Sequence, residues 1–229
     1  KSITSTTGIT GELIRNKENL GFAGGNNIGL KYALENGADF VMILNNDTLL
    51  DKNLIVSFIE AADKHKDAGI FSPKIYFARG FEFHKNKYSE KDLGKVMWYT
   101  GGVIDWNNVL GSNRGVDEID KGQYNKIGET DFVTGACMFI RREVLEKAGL
   151  FDETYFMYLE DTDFSIRVKK DGWKVLYVPD AVLWHKVAQG SGIGSNLNDY
   201  YITRNRLLFG MRYAPLRAKI ALLKESIKF

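Results

Sequence analysis

Between residues 12 and 77 the apolar pattern keeps changing period, and this alternation limits the fold more than any other feature. ELIRN (12–16) reads as a short strand. NNIGLKYALENG (26–37) places Ile28, Tyr32 and Leu34 on one side of a helix stopped by Gly37. DFVMILN (39–45) is a continuous apolar strand. DKNLIVSFIEAADKHKDAG (51–69) carries Leu54, Phe58 and Ala61 or Ala62 at helical spacing behind Asp51, a fitting N-cap. GIFSPKIYF (69–77) is again strand-like. Strand, helix, strand, helix, strand predicts an α/β fold, a parallel sheet with helices on its faces. Ligands of such sheets bind at the carboxyl ends of the strands. The polar run Asn45, Asn46, Asp47 occupies one such end, directly after Val41–Leu44.

The rest of the chain is less regular. NKENLGFAGGNN (16–27) reads as an Asn- and Gly-rich loop. Residues 78–128 mix charges, Gly pairs and the aromatics Trp98, Tyr99 and Trp106, and predict an inserted β-rich flap with a hairpin near 96–106. Order resumes with a strand leading into a short helix (131–149), then a helix over 160–173 closed by Gly172. KVLYVPDAVLWH (174–185) predicts two short strands hinged at Pro179–Asp180, followed by a flexible Gly/Ser loop to 196. Two helices at about 197–212 and 215–228 end the chain, so the expected division is a domain over 1–196 and a helical extension over 197–229.

Composition removes several function classes. The 229 residues suffice for one large domain, and a net charge of +2 gives no global reason to bind nucleic acid. The charge is uneven: Tyr200 to Phe229 holds seven Arg or Lys and one acid, Glu225. A basic tail on a slightly acidic body points to an anionic partner near the C-terminus. The single cysteine, Cys137, excludes an internal disulfide and any cysteine-based metal site. No apolar run has the length of a membrane span, and KSITSTTGIT is not a signal peptide, which predicts a cytoplasmic protein.

Four places could carry chemistry. In the helix from Glu160, Phe164 and Val168 define an apolar face, and Asp161 shares it. Acids in a first turn are common because of the helix dipole. That reading covers Glu160 and Asp163, and covers Asp161 less well, since an acid on the packed face loses its water. His185 ends an apolar strand beside the Gly/Ser-rich segment, where structural and functional roles weigh equally. GFAGGNN could bring backbone N–H groups to a phosphate, but it lacks the spacing of nucleotide-binding fingerprints, and a turn with a cap explains it better. Asp47 beside Asn carbonyls suits a hard cation such as Mg²⁺ or Mn²⁺, with phosphates completing the shell. A histidine nitrogen favours Mn²⁺.

RNKENLGFAGGNNIGL, ILNNDT, VTGACMFIRREVLEKAGLFDETYFMYLEDTDFSIRVKKDGWKV and WHKV, in this order, resemble the glycosyltransferases of family two, and most closely their rhamnosyltransferase-like subgroup. The resemblance runs from about Arg15 to Leu208 and implies the GT-A fold, a Rossmann-like, mostly parallel sheet flanked by helices. It implies a metal-dependent, inverting transfer of a sugar from a nucleotide-sugar donor to a saccharide or lipid-linked acceptor. Asp47 would bind the cation, with Asn45 departing from the family's acidic form and His185 as a further metal ligand. Asp161 of the pair Glu160–Asp161 would be the general base. Asn19, Gly21, Gly24, Gly25 and Asn26 would lie near the donor nucleotide, and Arg204 of YYITRNRL near a phosphate. Family members open with a strand, a helix and a second strand that hold the nucleoside. KSITSTTGITGE matches none of these, so the chain resembles a member without its first βαβ portion.

Two further readings compete. One is a degenerate, non-catalytic transferase that binds saccharide or a partner. The other is a nucleotidyltransferase, which the absence of a basic residue in GFAGGNN disfavours. In the last helix Leu216, Ile220, Leu223 and Ile227 form one apolar stripe with Arg217, Lys224 and Lys228 beside it. Packing of that stripe on the domain is the favoured expectation. The alternative is peripheral contact with the inner face of a membrane, near a lipid-linked acceptor.

Overall fold

The computed structural model describes residues 2–4, 10–187 and 196–226. A hairpin of β1 (Ser2–Thr4) and β2 (Thr10–Glu12) precedes α1 (Gly21–Glu35). Then come β3 (Phe40–Leu44), β4 (Thr48–Leu50), α2 (Leu54–Lys64) and β5 (Ala68–Phe77). The middle of the chain supplies β6 (Met97–Tyr99), β7 (Gly102–Asp105), β8 (Leu110–Asn113) and β9 (Gly128–Glu129). The remainder is β10 (Cys137–Arg141), α3 (Arg142–Ala148), α4 (Glu160–Lys170), β11 (Lys174–His185), α5 (Asn196–Tyr213) and α6 (Leu216–Ser226).

The main sheet has the order β3–β10–β5–β11–β4, with β6 beside β5 and β9 against β11. β5 and β11 pair in parallel, and β10 is antiparallel to both β3 and β5, so β3, β5 and β11 run the same way. The other strands oppose them. The α/β class is as expected, but the sheet is mixed rather than mostly parallel. The alternating pattern correctly gives co-directional β3 and β5. It carries no information about β10, which arrives from far along the chain and inserts between them.

Strand alternation divides the core. Phe71 and Phe139 face α2, where the Phe139 ring stacks on Phe58 (5.0 Å) and on Phe40 (4.8 Å). Their neighbours Ile70 and Ile140 face α1, α3 and α4, with Leu30, Val144, Phe164 and Val168. The C-terminal helices join the first of these cores through Phe209, Ala218 and Leu222.

Several local expectations change. Of ELIRN only Glu12 is in a strand. The loop read over 16–27 is half helix, because α1 already begins at Gly21. Residues 96–106 are not a hairpin: β6 pairs with β5, and β7 pairs with β8. Lys174–His185 is one strand that steps from Val178↔Pro73 to Val182↔Lys74, so Pro179, which has no N–H to donate, sits in an irregularity rather than at a hinge. The residues 188–195 of the Gly/Ser loop lie outside the described residues. The favoured expectation for the last helix is overturned. Leu216, Ile220 and Leu223 are 74%, 47% and 42% exposed, and the buried side of α6 carries Ala218 and Leu222. The small Ala218 and Gly210 let the two helices approach: a Cβ on Gly210 would lie 2.2 Å from Leu222 Cδ1. Ile227 lies outside the described residues.

Candidate functional site

The antiparallel pairing of β4 with β11 sets His185 opposite Thr48, and so brings its ring beside Asp47. His185 Nε2 lies 3.0 Å from Asp47 Oδ1. The imidazole is buried, packs edge-on against Trp98 of β6 with ring centroids 4.7 Å apart, and among the described residues has no hydrogen-bond partner for Nδ1. Burial pushes its pKa down, against the opposing pull of the Asp47 charge, and this favours the neutral ring. The Asp47 backbone is fixed too, its carbonyl accepting from Lys186 N–H at 2.9 Å. Asn45 donates its backbone N–H to the Ala136 carbonyl (3.0 Å), and its own carbonyl accepts from Thr48 Oγ1 (2.7 Å). Among the described residues no group of three or more His, Cys, Asp or Glu gathers to hold a metal ion.

The segment just before β10 connects this pair to the acids of α4. Asp161 Oδ2 accepts from Gly135 N–H at 2.8 Å, and Oδ1 accepts from Thr162 N–H at 2.6 Å. Burial raises the Asp161 pKa while these bonds oppose the rise. Glu160 is 4% exposed, and its Oε2 has no hydrogen-bond partner among the described residues. Burial first, and the neighbouring Asp161 charge second, push its pKa far up, which favours the neutral acid. Glu160 and Asp161 line a cavity of about 280 Å³ together with Trp98, Leu110, Tyr158 and Ile202. Trp98 therefore touches both the cavity and His185. The third acid of the turn has another occupation. Asp163 is fully buried and accepts from Arg167 Nε (2.8 Å), Tyr213 OH (2.7 Å) and Tyr155 OH (3.2 Å), which ties α4 to α5.

The chain enters α4 through a contorted turn. Phe156, Tyr158 and Leu159 have φ of 62°, 68° and 68°, a region that costs a residue with a side chain on the order of 1–2 kcal/mol. One side of the turn rests on α1. Ala23 N–H donates to the Phe156 carbonyl (3.1 Å), and Gly21, itself at φ 69°, leaves no room for a side chain because a Cβ would lie 2.4 Å from that oxygen. The other side rests on α5. Buried Asn205 directs Nδ2 at the carbonyls of Tyr155 (2.9 Å), Met157 (2.7 Å) and Tyr158 (2.8 Å).

The residues singled out from the sequence thus fall into two groups. Asp47 and His185 meet; Glu160 and Asp161 share the adjacent cavity; Asn45 bonds the Ala136 backbone, next to the Gly135 that donates to Asp161. Asn19 accepts from Gly21 N–H at 3.0 Å, at the start of α1. Gly24 packs against Leu20, Asn26 bonds within α1 to the Phe22 carbonyl, and Gly25 faces open space. Arg204 is engaged by the Thr154 carbonyl and lies over the Tyr201 ring at 5.8 Å. Asn205 and Trp98 escaped sequence reasoning. Trp98 is one aromatic among several in an irregular stretch, and Asn205 adjoins the Arg that drew attention.

A family model described as glycosyltransferase-like family 2 matches residues 5–206. An N-acetylglucosaminyl-diphospho-decaprenol L-rhamnosyltransferase of Mycobacterium tuberculosis is 27% identical over 67% of this chain and 49% of its own length. A dTDP-rhamnosyl transferase of Shigella flexneri is 25% identical over 88% of this chain and 64% of its own. The chain thus spans about half to just under two thirds of these curated relatives. A crystal structure of GalNAc-T7 with UDP, GalNAc and Mn²⁺ matches with a TM-score of 0.58 and 18% identity, covering 83% of this chain and 35% of that one. A mannosyltransferase from Pyrobaculum calidifontis, in complex with GDP-Man and Mn²⁺, matches with a TM-score of 0.52 and 16% identity, over 93% and 51%. At such identities the likeness establishes the fold, which is GT-A.

Proposed function

Because the chain belongs to glycosyltransferase-like family 2, we propose that it moves a sugar from a nucleotide-sugar donor to an acceptor hydroxyl, with inversion at the sugar carbon. The observation that carries this reading is Asp161, on the wall of a cavity of about 280 Å³ that Trp98 joins to the Asp47–His185 pair. Asp161 is the general base. Its hydrogen bonds from Gly135 and Thr162 hold it against the turn before β10, and its partial shielding raises its proton affinity. As the acceptor oxygen attacks, Asp161 takes the hydroxyl proton while the bond from sugar to diphosphate breaks. Glu160, neutral through burial, spares the site a second negative charge beside the base.

The residues at the sheet end fit a divalent cation. A carboxylate and a neutral imidazole meet at 3.0 Å, and two protein ligands suffice where a diphosphate supplies the others. Asp47 and His185 would hold Mn²⁺ or Mg²⁺, and the ion, when bound, offsets the charge of the departing nucleoside diphosphate. Donor contacts are assigned to Gly25 and to the side chain of Asn45. Asn19, Gly21, Gly24, Asn26 and Arg204 are committed to packing or to backbone groups, and support the site from behind.

By analogy with the relatives' names, the donor is a dTDP-sugar such as dTDP-rhamnose and the acceptor a saccharide on a lipid diphosphate. A lipid-linked acceptor also gives α6 a role. Its exposed stripe of Leu216, Ile220 and Leu223 lies between Arg217 and Lys224 on one side and Lys219 on the other, as suits a helix lying in an anionic membrane surface. Among the described residues no helix is long and apolar enough to cross a membrane. The test combines calorimetry of dTDP with Mn²⁺ and release of dTDP from dTDP-rhamnose in the presence of a lipid-linked N-acetylglucosaminyl diphosphate. Binding that requires the cation, and release that requires the acceptor, are expected. Absence of nucleotide binding would overturn the reading in favour of a non-catalytic protein.

A further inference from the structure

We infer that Asn205 is a positioning residue for Asp161, holding the left-handed turn from Phe156 to Leu159 in the one shape that delivers the carboxylate to Gly135 N–H. The inference rests on the reading of Asp161 as the base. Three observations carry it. The turn is intrinsically unfavourable, since Phe156, Tyr158 and Leu159 all lie at positive φ without being glycine. Leu159 is also the residue that caps α4, so its conformation sets where Glu160 and Asp161 begin. Lastly, Asn205 is fully buried and points one amide nitrogen at the carbonyls of Tyr155, Met157 and Tyr158, within 3.0 Å of each.

The chemistry of the amide explains why asparagine stands there. Its Nδ2 has two hydrogens to share among these carbonyls. Its Oδ1 is buried with no hydrogen-bond partner among the described residues. Burying that oxygen unpaired carries a desolvation cost, which the three Nδ2 contacts offset. Serine would offer a single donor, and aspartate would set a negative oxygen against carbonyl oxygens. The other side of the turn is held by Ala23 N–H on the Phe156 carbonyl, and Asn198 Nδ2 bonds Tyr158 OH at 3.0 Å, so removing Asn205 loosens the backbone nearer α4 without freeing the whole turn.

The test reads the hydrogen bond itself and needs no substrate. The amide of Gly135 and the side-chain carboxyl carbon of Asp161 are followed by NMR through a pH titration of the unaltered chain, Asn205→Ala, Asn205→Ser, and Asn205→Ala combined with Leu159→Gly. In the unaltered chain the Gly135 amide should titrate with Asp161. Asn205→Ala should move that amide upfield and speed its exchange by roughly 10-fold or more, with β5, β10 and β11 unaffected. It should also raise the Asp161 titration midpoint, because the carboxylate loses a donor. Asn205→Ser should fall between. Leu159→Gly accepts positive φ without strain and should restore part of both signals. An unchanged Gly135 amide in folded Asn205→Ala overturns the assignment. So does global loss of protection in both Asn205→Ala and Asn205→Ser, which would make Asn205 an ordinary core residue. Turnover of dTDP-rhamnose separates the two readings: kcat should fall roughly 10- to 100-fold in Asn205→Ala with donor KM little changed. No turnover by the unaltered chain would count against the transferase reading and leave the NMR result standing.

Discussion

Asp161 and Glu160 are neighbours in sequence with opposite electrostatic fates. Asp161 has N–H donors that stabilise its charge, while the Glu160 Oε2 has none among the described residues. Replacing Asp161 by Asn should lower kcat by roughly 10²- to 10⁴-fold and leave donor affinity within a few-fold, since an amide cannot accept the proton. Asp47→Ala and His185→Ala should instead weaken Mn²⁺-dependent binding of dTDP, measured by calorimetry. Equal loss of affinity in all three would defeat the division of labour. Glu160 yields a stability prediction with a definite sign. Its folded-state pKa lies above the ordinary glutamate value of about 4.3, so the native state binds the extra proton and stability falls as pH rises beyond that value. Glu160→Gln removes the linkage. Its melting temperature should exceed that of the unaltered chain at pH 8, and the gap should close as pH falls toward 4. The acid pair was legible because spacing put Asp161 on the packed face of a helix. Asn205 was not, because its partners are backbone carbonyls, which no side-chain pattern reveals.

At the scale of elements, α4 is held by polar latches as much as by its apolar face. Asp163 accepts from Arg167, Tyr213 and Tyr155, so it joins one helix to the next, whereas the sequence offered only a dipole role for a first-turn acid. Asp163→Ala takes the acceptor from the Tyr155 and Tyr213 hydroxyls and one partner from Arg167, which keeps the Ala148 and Leu150 carbonyls, and should cost about 2–3 kcal/mol in denaturant unfolding. A loss below 1 kcal/mol would mean the latch is dispensable. The entry turn offers a second measurement. Gly21→Ala places a Cβ against the Phe156 carbonyl at a positive φ, and should destabilise by about 1–3 kcal/mol while the sheet keeps its circular dichroism. Helices α2 and α4 were readable from apolar spacing, α4 also from Gly172, and α3 only as a short helix following a strand. The start of α1 was not, because Gly and Asn in GFAGGNN favour loops locally, and the helix is kept by contacts from afar. Asn27, for instance, bonds the Phe151 backbone in both directions, at 3.0 Å each.

For the molecule as a whole, α6 decides between core and surface. If its outer stripe meets anionic lipid, the chain should co-sediment with phosphatidylserine vesicles at low salt and release at high salt. Neutralising Arg217, Lys219 and Lys224 should weaken attachment by about 1 kcal/mol for each residue near the surface. Sedimentation that is unchanged in Leu216→Ser/Ile220→Ser/Leu223→Ser, or absent at low salt, would remove the membrane role. The stripe was plain in the sequence, yet the face that enters the core is the one with Ala218 and Leu222. Periodicity finds an apolar face but cannot say that small residues on another side permit a closer approach of helices. The sequence by itself determined the α/β class, the co-directional β3 and β5, the polar end of β3 and the acid pair of α4. These are written in local period and residue type, and the quoted motifs carried the family. Tertiary structure alone decided that β10 runs backwards between β3 and β5, that Trp98 joins the cavity to His185, and that Asn205 grips the turn before Asp161. Each of those depends on pairing between segments distant in the chain, where the free energy is set by register and close packing rather than by any local pattern.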